Sequence, residues 1–424
     1  MVPIYNNTVE YLKKINSLPS SPFGVGLQVE LIEEVLRGLN LEYVKTNYFI
    51  TVHLKSQSKS TRKLVVMSHL DHPGAVLDGN GKGIFFGSVG LERVGNAVGL
   101  GKMFLKVFSP KGENLGLAKV TCLHKQRQNF TVESDFPIPK NSTAVFGLKE
   151  FSEDRENLYV YNADNGVDTA TMLALLEEGL TPVYDTYFVF NFHEEVHQIS
   201  AWKLARDNFL GITQDDLVLN LEAPIIATNV LGNGPKLNYE DGIVLKLSNL
   251  DCLFGHLTPG ENLLENTTRF LAKTKKLSVQ IGFAKGSDEA RCFSTFPYTA
   301  NIATLAVPNK FKHNWGENDA FVPETIKKYD VRALGILVKA VIETEVKEVD
   351  LQESGSLVSG YKQKDEVTNE TIIKDKANLN TRIDWRYKSV IKRGYYFPIT
   401  LRDHFDDLLC RSMFYLIYLW QKLY

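Results

Sequence analysis

Blocks of helical and strand-like patterning alternate along this chain. Residues 8–17 read as a helix that Pro19 and Pro22 end. Over 25–38, Leu27, Val29, Leu31, Ile32 and Leu36 gather near one helical face. Two apolar, β-rich runs follow at 48–54 and 63–68. The second is short and continuous, as in a strand buried on both faces, and it runs straight into Ser68-His69-Leu70-Asp71. From about 74 to 157 the texture changes. Glycines at 79, 81, 83, 87, 90, 95, 99 and 101 separate short segments such as GIFFGSV, KMFLKVF and AKVTCLH. Short strands between turn signals predict a small β-barrel or sandwich inserted into the first domain, with Gly79, Gly81 and Gly83 in hairpin turns.

Strand and helix alternate again beyond the insertion. LYVYN leads to Asp164, a helix covers about 168–178, TYFVFNF ends before Glu194-Glu195, and a helix covers about 200–208. DLVLNLE is a further strand, NIATLAVP another, and a last helix is expected near 325–344. This pattern predicts an α/β fold with a doubly wound sheet, whose ligands bind at the carboxyl ends of the strands. The expected organisation is a catalytic domain from 1–73 and 158–350, an inserted β-domain at 74–157, and a C-terminal extension at 351–424 of open role. Within that extension 351–378 is polar, while 408–424 is apolar and too short to span a bilayer. It reads as a helix packed on the body or a partner subunit, with an interfacial anchor as the alternative.

Composition narrows the class. At 424 residues the chain exceeds one ordinary core, and 44% hydrophobic with 23% charged residues is the balance of a soluble globular protein. A net charge of −2 gives no basic footprint for nucleic acid. Cys122, Cys252, Cys292 and Cys410 form no CxxC pair, which suits a reducing compartment and predicts a cytoplasmic protein. The N-terminus carries no apolar secretory signal.

Acidic and histidine residues follow the predicted strands in series: His69 with Asp71, Asp164, Glu194 with Glu195, Glu222, and His313. One such residue would be ordinary strand-end chemistry; the series is different, because the fold brings these ends to one rim. Two divalent ions need a shared carboxylate, terminal histidine and carboxylate ligands, and a free carboxylate to take a proton from a bridging water. On this hypothesis Asp164 bridges, His69 and Glu222 complete one position, and Glu195 and His313 complete the other. Glu194 is then the general base, and Asp71 orients His69.

SHLDHPG, NADNG, FHEEV, LNLEAP, GSDEA and VPNKFKH, in this order, resemble the glutamyl or tetrahedral family of two-metal aminopeptidases, over roughly residues 10–348. The position of the inserted β-domain, between His-x-Asp and the bridging Asp, carries most of the resemblance. It implies peptide substrates, the same ligand and base assignments, and two divalent ions, zinc or cobalt first and manganese as an alternative. It also implies assembly into a homo-oligomer through the insertion. Asp288 becomes a candidate partner for the substrate amine, and one of the nearby lysines Lys310 and Lys312, Lys310 first, for a substrate carboxylate or carbonyl. The chain departs from the family at Asn165-Gly166, where Asp-Arg is usual, and at Val196-His197, where Val-Gly is usual. Glu222 stands where Asp is usual. The first two departures bear on substrate specificity more than on metal binding.

Other readings stay open. His193-Glu194-Glu195-Val196-His197 satisfies the HExxH motif of zincins, with Glu222 further on. That motif needs both histidines on one helix face, whereas here it follows a β-rich run. A different two-metal hydrolase such as a deacylase, and a catalytically inactive binding protein, are the remaining alternatives.

Overall fold

The computed structural model describes residues 2–345 except 125–127, 226–236, 247–261, 283–287 and 296–297. The expectations for 351–424 lie outside the described residues. Two helices, α1 (Val2–Asn16) and α2 (Gly26–Gly38), precede β1 (Tyr43–Lys45), β2 (Phe49–Leu54) and β3 (Lys63–His69). The insertion supplies β4 (Gly74–Leu77), β5 (Lys82–Phe86), α3 (Leu91–Gly99), β6 (Phe104–Phe108), β7 (Asn114–His124), β8 (Asn129–Glu133) and β9 (Ser142–Phe146). Then come β10 (Phe151–Glu153), β11 (Asn157–Val160), α4 (Gly166–Glu178), β12 (Asp185–Asn191), α5 (Ile199–Arg206) and β13 (Leu217–Glu222). The last elements are β14 (Ile243–Lys246), α6 (Leu263–Thr274), β15 (Val279–Gly282), α7 (Ala290–Thr295), β16 (Ile302–Ala306), β17 (Glu324–Lys327) and α8 (Lys328–Glu343).

The described residues form an eight-stranded sheet in the order β1-β2-β12-β3-β13-β16-β14-β15. Its centre, β12-β3-β13-β16, is parallel throughout. Such strands are covered on both faces, so they read as unbroken apolar runs: six of the seven β3 residues and all of β13 are buried. Helix α4 is buried from Gly166 through Leu176, which its apolar run MLALL on an Ala- and Thr-rich first turn makes possible. With α1 and α8 it contributes to the main core, through Leu12, Ile15, Leu173, Leu334 and Leu337.

Strands β4 to β9 close into a barrel in the order β4-β5-β8-β7-β6-β9. Its own core includes Leu77, Phe85, Leu105, Val107, Val120, Phe130 and Phe146. Gly79 and Gly81 make the β4–β5 turn at positive φ, as expected. Gly83 differs: it lies inside β5, where an added Cβ would stand 2.3 Å from the Phe130 ring. Its function is to admit that ring to the barrel core, not to turn the chain.

Three elements depart from the sequence expectation. Helix α3 forms in the glycine-rich stretch because Val94 and Ala97 pack into the barrel core, a tertiary contact that outweighs weak propensity. The last helix starts at Lys328, because Glu324–Lys327 pairs antiparallel with β11 as strand β17. The first helix starts at Val2, six residues before the predicted 8.

Candidate metal centre

The parallel register brings the strand ends together. His69 ends β3, and Asn191, the last residue of β12, lies opposite it. Glu222 ends β13 and pairs with Ala306 of β16, from which the chain continues to His313. Asp164 sits between β11 and α4, beside a cis peptide bond to Asn165. The crevice is therefore the carboxyl edge of the parallel strands, where doubly wound sheets bind ligands.

Two ligand clusters share one carboxylate. His69, Asp164 and Glu222 form one, and Asp164, Glu195 and His313 the other, with ligand atoms in each within 4.8 Å of one another. His69 Nε2 is 3.4 Å from Asp164 Oδ1 and 3.7 Å from Glu222 Oε2. His313 Nε2 is 3.3 Å from Asp164 Oδ2 and 2.8 Å from Glu195 Oε1.

The donor set fits two divalent ions. His69 Nδ1 lies 2.9 Å from the Asp71 backbone carbonyl, and His313 Nδ1 lies 3.2 Å from that of Ser88. A carbonyl can only accept, so each Nδ1 carries the proton and each Nε2 turns its lone pair into the cluster. His69 Nε2, Asp164 Oδ1 and Glu222 Oε2 are buried and make no hydrogen bond, while His313 Nε2 and Glu195 Oε1 lie 2.8 Å apart. Buried polar atoms without partners are costly unless a cation meets them. The electrostatics agree: against the opposing pull of burial, Glu195 and Asp164 carry His313 up to about 10. The same cluster of carboxylates favours a divalent cation in place of that proton. Imidazole and carboxylate donors suit zinc, cobalt and manganese alike.

Glu194 belongs to neither cluster. Its Oε2 is 4.0 Å from His69 Nε2, and its Oε1 accepts from Gln198 at 3.1 Å. Burial first, then the charges of Glu195, Glu222 and Glu289, hold its carboxyl well above the usual range against the attraction of His69.

Asp71 meets His69 through its backbone. Its backbone carbonyl, not its carboxylate, orients His69; the nearer carboxylate oxygen is 3.8 Å from Nδ1. The carboxylate instead accepts the backbone N–H groups of Glu194 at 2.8 Å and Glu195 at 3.1 Å. Burial pushes this carboxyl up to about 7.

Neither substrate candidate belongs to the two clusters. Asp288 is buried in an ion pair with Lys246 at 2.6 Å and also accepts from Thr304. Lys310 is exposed, with its ammonium 5.2 Å above the Phe311 ring. The lysine that enters the centre is Lys312, whose Nζ is 2.8 Å from both Asp164 and Glu222. His193 and His197 precede α5 rather than share one of its faces. His193 is buried against Phe23, where burial lowers its pKa to about 4.

Supporting residues emerge, most of which the sequence did not single out. Glu324, buried on β17, accepts from the N–H groups of Ala163 at 2.6 Å, Asp164 at 2.9 Å and His313 at 2.5 Å. One carboxylate thus holds the shared ligand and a terminal ligand in register. His72 Nδ1 donates to the Asp164 carbonyl at 2.6 Å. Asn165, one of the departures from the family pattern, donates to Leu221 O at 2.8 Å and so ties the start of α4 to β13. His197, the other, adopts φ 75 where glycine is the least strained residue. Glu289 is buried near His69, and burial pushes its carboxyl to about 8.

No protein-family model and no curated protein matches this chain. Among solved structures it is similar to an aminopeptidase from the archaeon Desulfurococcus kamchatkensis, with TM-score 0.63, 17% identity, and coverage of 82% of this chain and 98% of that one. It is also similar to a TET aminopeptidase from a marine sediment Thaumarchaeota archaeon, with TM-score 0.62, 13% identity, and coverage of 82% and 99%. A third is the TET1 peptidase of Pyrococcus horikoshii, described as assembling into a tetrahedron or a large octahedral shell, with TM-score 0.59, 18% identity, and coverage of 80% and 100%. At these identities the likeness establishes a shared fold.

Proposed function

We propose that this chain is a metallo-aminopeptidase that releases residues from peptide N-termini. The observation that carries the reading is the pair of ligand clusters sharing Asp164, with Glu194 free beside them. Divalent ions bound there would polarise the scissile carbonyl and lower the pKa of a water. His69 and Glu222 hold one position, Glu195 and His313 the other, and Asp164 both. Glu194 takes a proton from the attacking water and returns it to the leaving amine. Asp71 fixes the backbone from which Glu194 and Glu195 project.

Restriction to N-termini is supported by the likeness to two aminopeptidases of the same fold. Fold alone does not assign chemistry, so the substrate panel is decisive. Assembly into a homo-oligomer through the barrel is part of the proposal, since a fold neighbour forms closed shells. Cys122 and Cys292 take part in no disulfide among the described residues, which supports a reducing, cytoplasmic setting. No helix of the described residues is long and apolar enough to cross a membrane.

The test measures metal content and hydrolysis together. Chelator-treated protein is assayed on aminoacyl fluorogenic substrates and N-acyl amino acids with added zinc, cobalt or manganese. About two metals per chain and metal-dependent release of single N-terminal residues are expected. Preference for N-acyl amino acids would move the chain to the deacylases. One zinc with internal cleavage would favour the HExxH reading, and neither metal nor turnover would end the enzymatic reading.

A further inference from the structure

The inserted barrel reaches the metal centre through one turn. Strand β5 ends at Phe86, and Gly87-Ser88 follow before Val89, which is buried in the barrel core. The Ser88 carbonyl accepts from His313 Nδ1 at 3.2 Å, and the Ser88 N–H donates to Glu195 Oε2 at 3.4 Å. Both contacts use atoms that the cluster leaves over, since His313 Nε2 and Glu195 Oε1 are the pair that meet at 2.8 Å. Only glycine permits so close an approach. Gly87 has φ 80, and a Cβ there would stand 3.0 Å from Pro73 Cα and 3.1 Å from Glu195 Oε2. A second grip lies just past His313, where Trp315 and Phe321 pack against the barrel core. Arg93 of α3 lies 5.3 Å over the Trp315 ring. Asp319 accepts from Asn96 at 2.8 Å and meets Arg93 at 3.3 Å.

The two metal positions are therefore held differently. For Glu195 and His313 the backbone is held from outside the barrel, by Asp71 and Glu324, while the barrel turns the side chains. At the other position His69 Nδ1 meets the Asp71 carbonyl and Glu222 Oε1 meets Lys312. Neither of those side chains has a hydrogen bond to the barrel among the described residues. Resting on the two-metal reading above, we propose that the Gly87–Ser88 turn is a positioning element for the Glu195–His313 position. Its carbonyl keeps the His313 ring in the tautomer and orientation that offer Nε2. Its N–H keeps Glu195 Oε1 turned to the same ion. Partners of this kind contribute about 10- to 100-fold to metal affinity. The barrel is thus part of one metal position and not of the other.

The experiment titrates zinc into the metal-stripped full chain against a chromophoric chelator and needs no assay of turnover. His69→Ala leaves the Glu195–His313 position and His313→Ala leaves the other. Ser88→Pro, which removes the N–H donor and shifts the turn, is added to each. Ser88 is exposed, so the substitution spares the barrel core, and thermal melts check the fold of every variant. Zinc affinity should fall about 10- to 100-fold in the His69→Ala background. In the His313→Ala background it should stay near its starting value. Gly87→Ala, which crowds Glu195 from the same turn, should repeat this pattern. Ser88→Ala keeps both backbone groups and should keep the parental affinity. Equal losses in both backgrounds would overturn the selective role of the turn, and no loss in either would overturn any role in metal binding. A parent chain that binds fewer than two zinc ions would overturn the two-metal reading and this proposal with it.

Discussion

The Asp71 carboxylate accepts the backbone N–H of Glu194 at 2.8 Å, and its second oxygen accepts that of Glu195 at 3.1 Å. One buried side chain on the segment after β3 thereby sets the backbone of both acids that follow β12. Asp71→Asn keeps the shape but sets an NH2 group against one of those N–H donors. The His69 contact survives, since it comes from the backbone carbonyl. We expect kcat to fall by about 10- to 100-fold, the range seen when residues that position metal-site groups are lost. Metal content per chain should stay near that of the parent. Loss of metal with unchanged kcat per loaded chain would contradict this assignment.

The ligand series was legible because fully buried parallel strands read as unbroken apolar runs. KLVVMSH, TYFVFN and LVLNLE each end on or just before a polar residue that the parallel register carries to one edge. The barrel was legible from short strands between glycines. Other features depend on distant pairing and leave no local trace. Glu324 lies where the sequence reads as the entry to a helix. Its role appears only when β17 pairs with β11 and brings it under Ala163 and Asp164. Lys310 and Lys312 are equivalent in spacing until the turn at 312–314 directs Lys312 inward and leaves Lys310 over Phe311. The ion pair of Asp288 with Lys246 of β14 joins residues 42 positions apart and leaves no local trace either.

Glu194→Gln separates a base from a ligand. The amide keeps the volume and cannot take a proton. Glu194 belongs to neither ligand cluster, so metal binding should stay near the parent value. Turnover should fall by about 10²- to 10⁴-fold, the usual contribution of general acid–base catalysis. A metal titration and kcat on the best aminoacyl substrate decide it. Loss of one metal per chain would instead make Glu194 a ligand.

Glu324→Gln tests whether ligand geometry is held from behind. The parent carboxylate accepts three backbone N–H groups, and the amide can accept with one oxygen only. At least one buried N–H then loses its partner, at a cost of about 1–3 kcal/mol. The midpoint of thermal unfolding should drop, and zinc affinity should fall at both positions, because Asp164 serves both. A variant with parental zinc affinity at both positions would show that Glu324 serves stability alone.

Asp330 supplies a pH dependence away from the metal centre. It is buried in the first turn of α8, and neither carboxylate oxygen has a hydrogen-bond partner. Burial pushes it from an ordinary 3.8 up to about 7, with Lys327 pulling the other way. Between those values the folded chain holds a proton that the unfolded chain has released. Stability from this residue is therefore complete below its unfolded pKa and is lost as pH rises through about 7, with a slope of about 1.4 kcal/mol per pH unit. Asp330→Asn stays neutral throughout. Its stability should fall less steeply than the parent's across this window, and at pH above 7 it should be the more stable chain. Urea midpoints measured for both chains from mildly acid to mildly alkaline pH read the difference directly. Other groups that titrate alike in both chains cancel in it. Parallel curves would mean that Asp330 is not carried protonated in the fold.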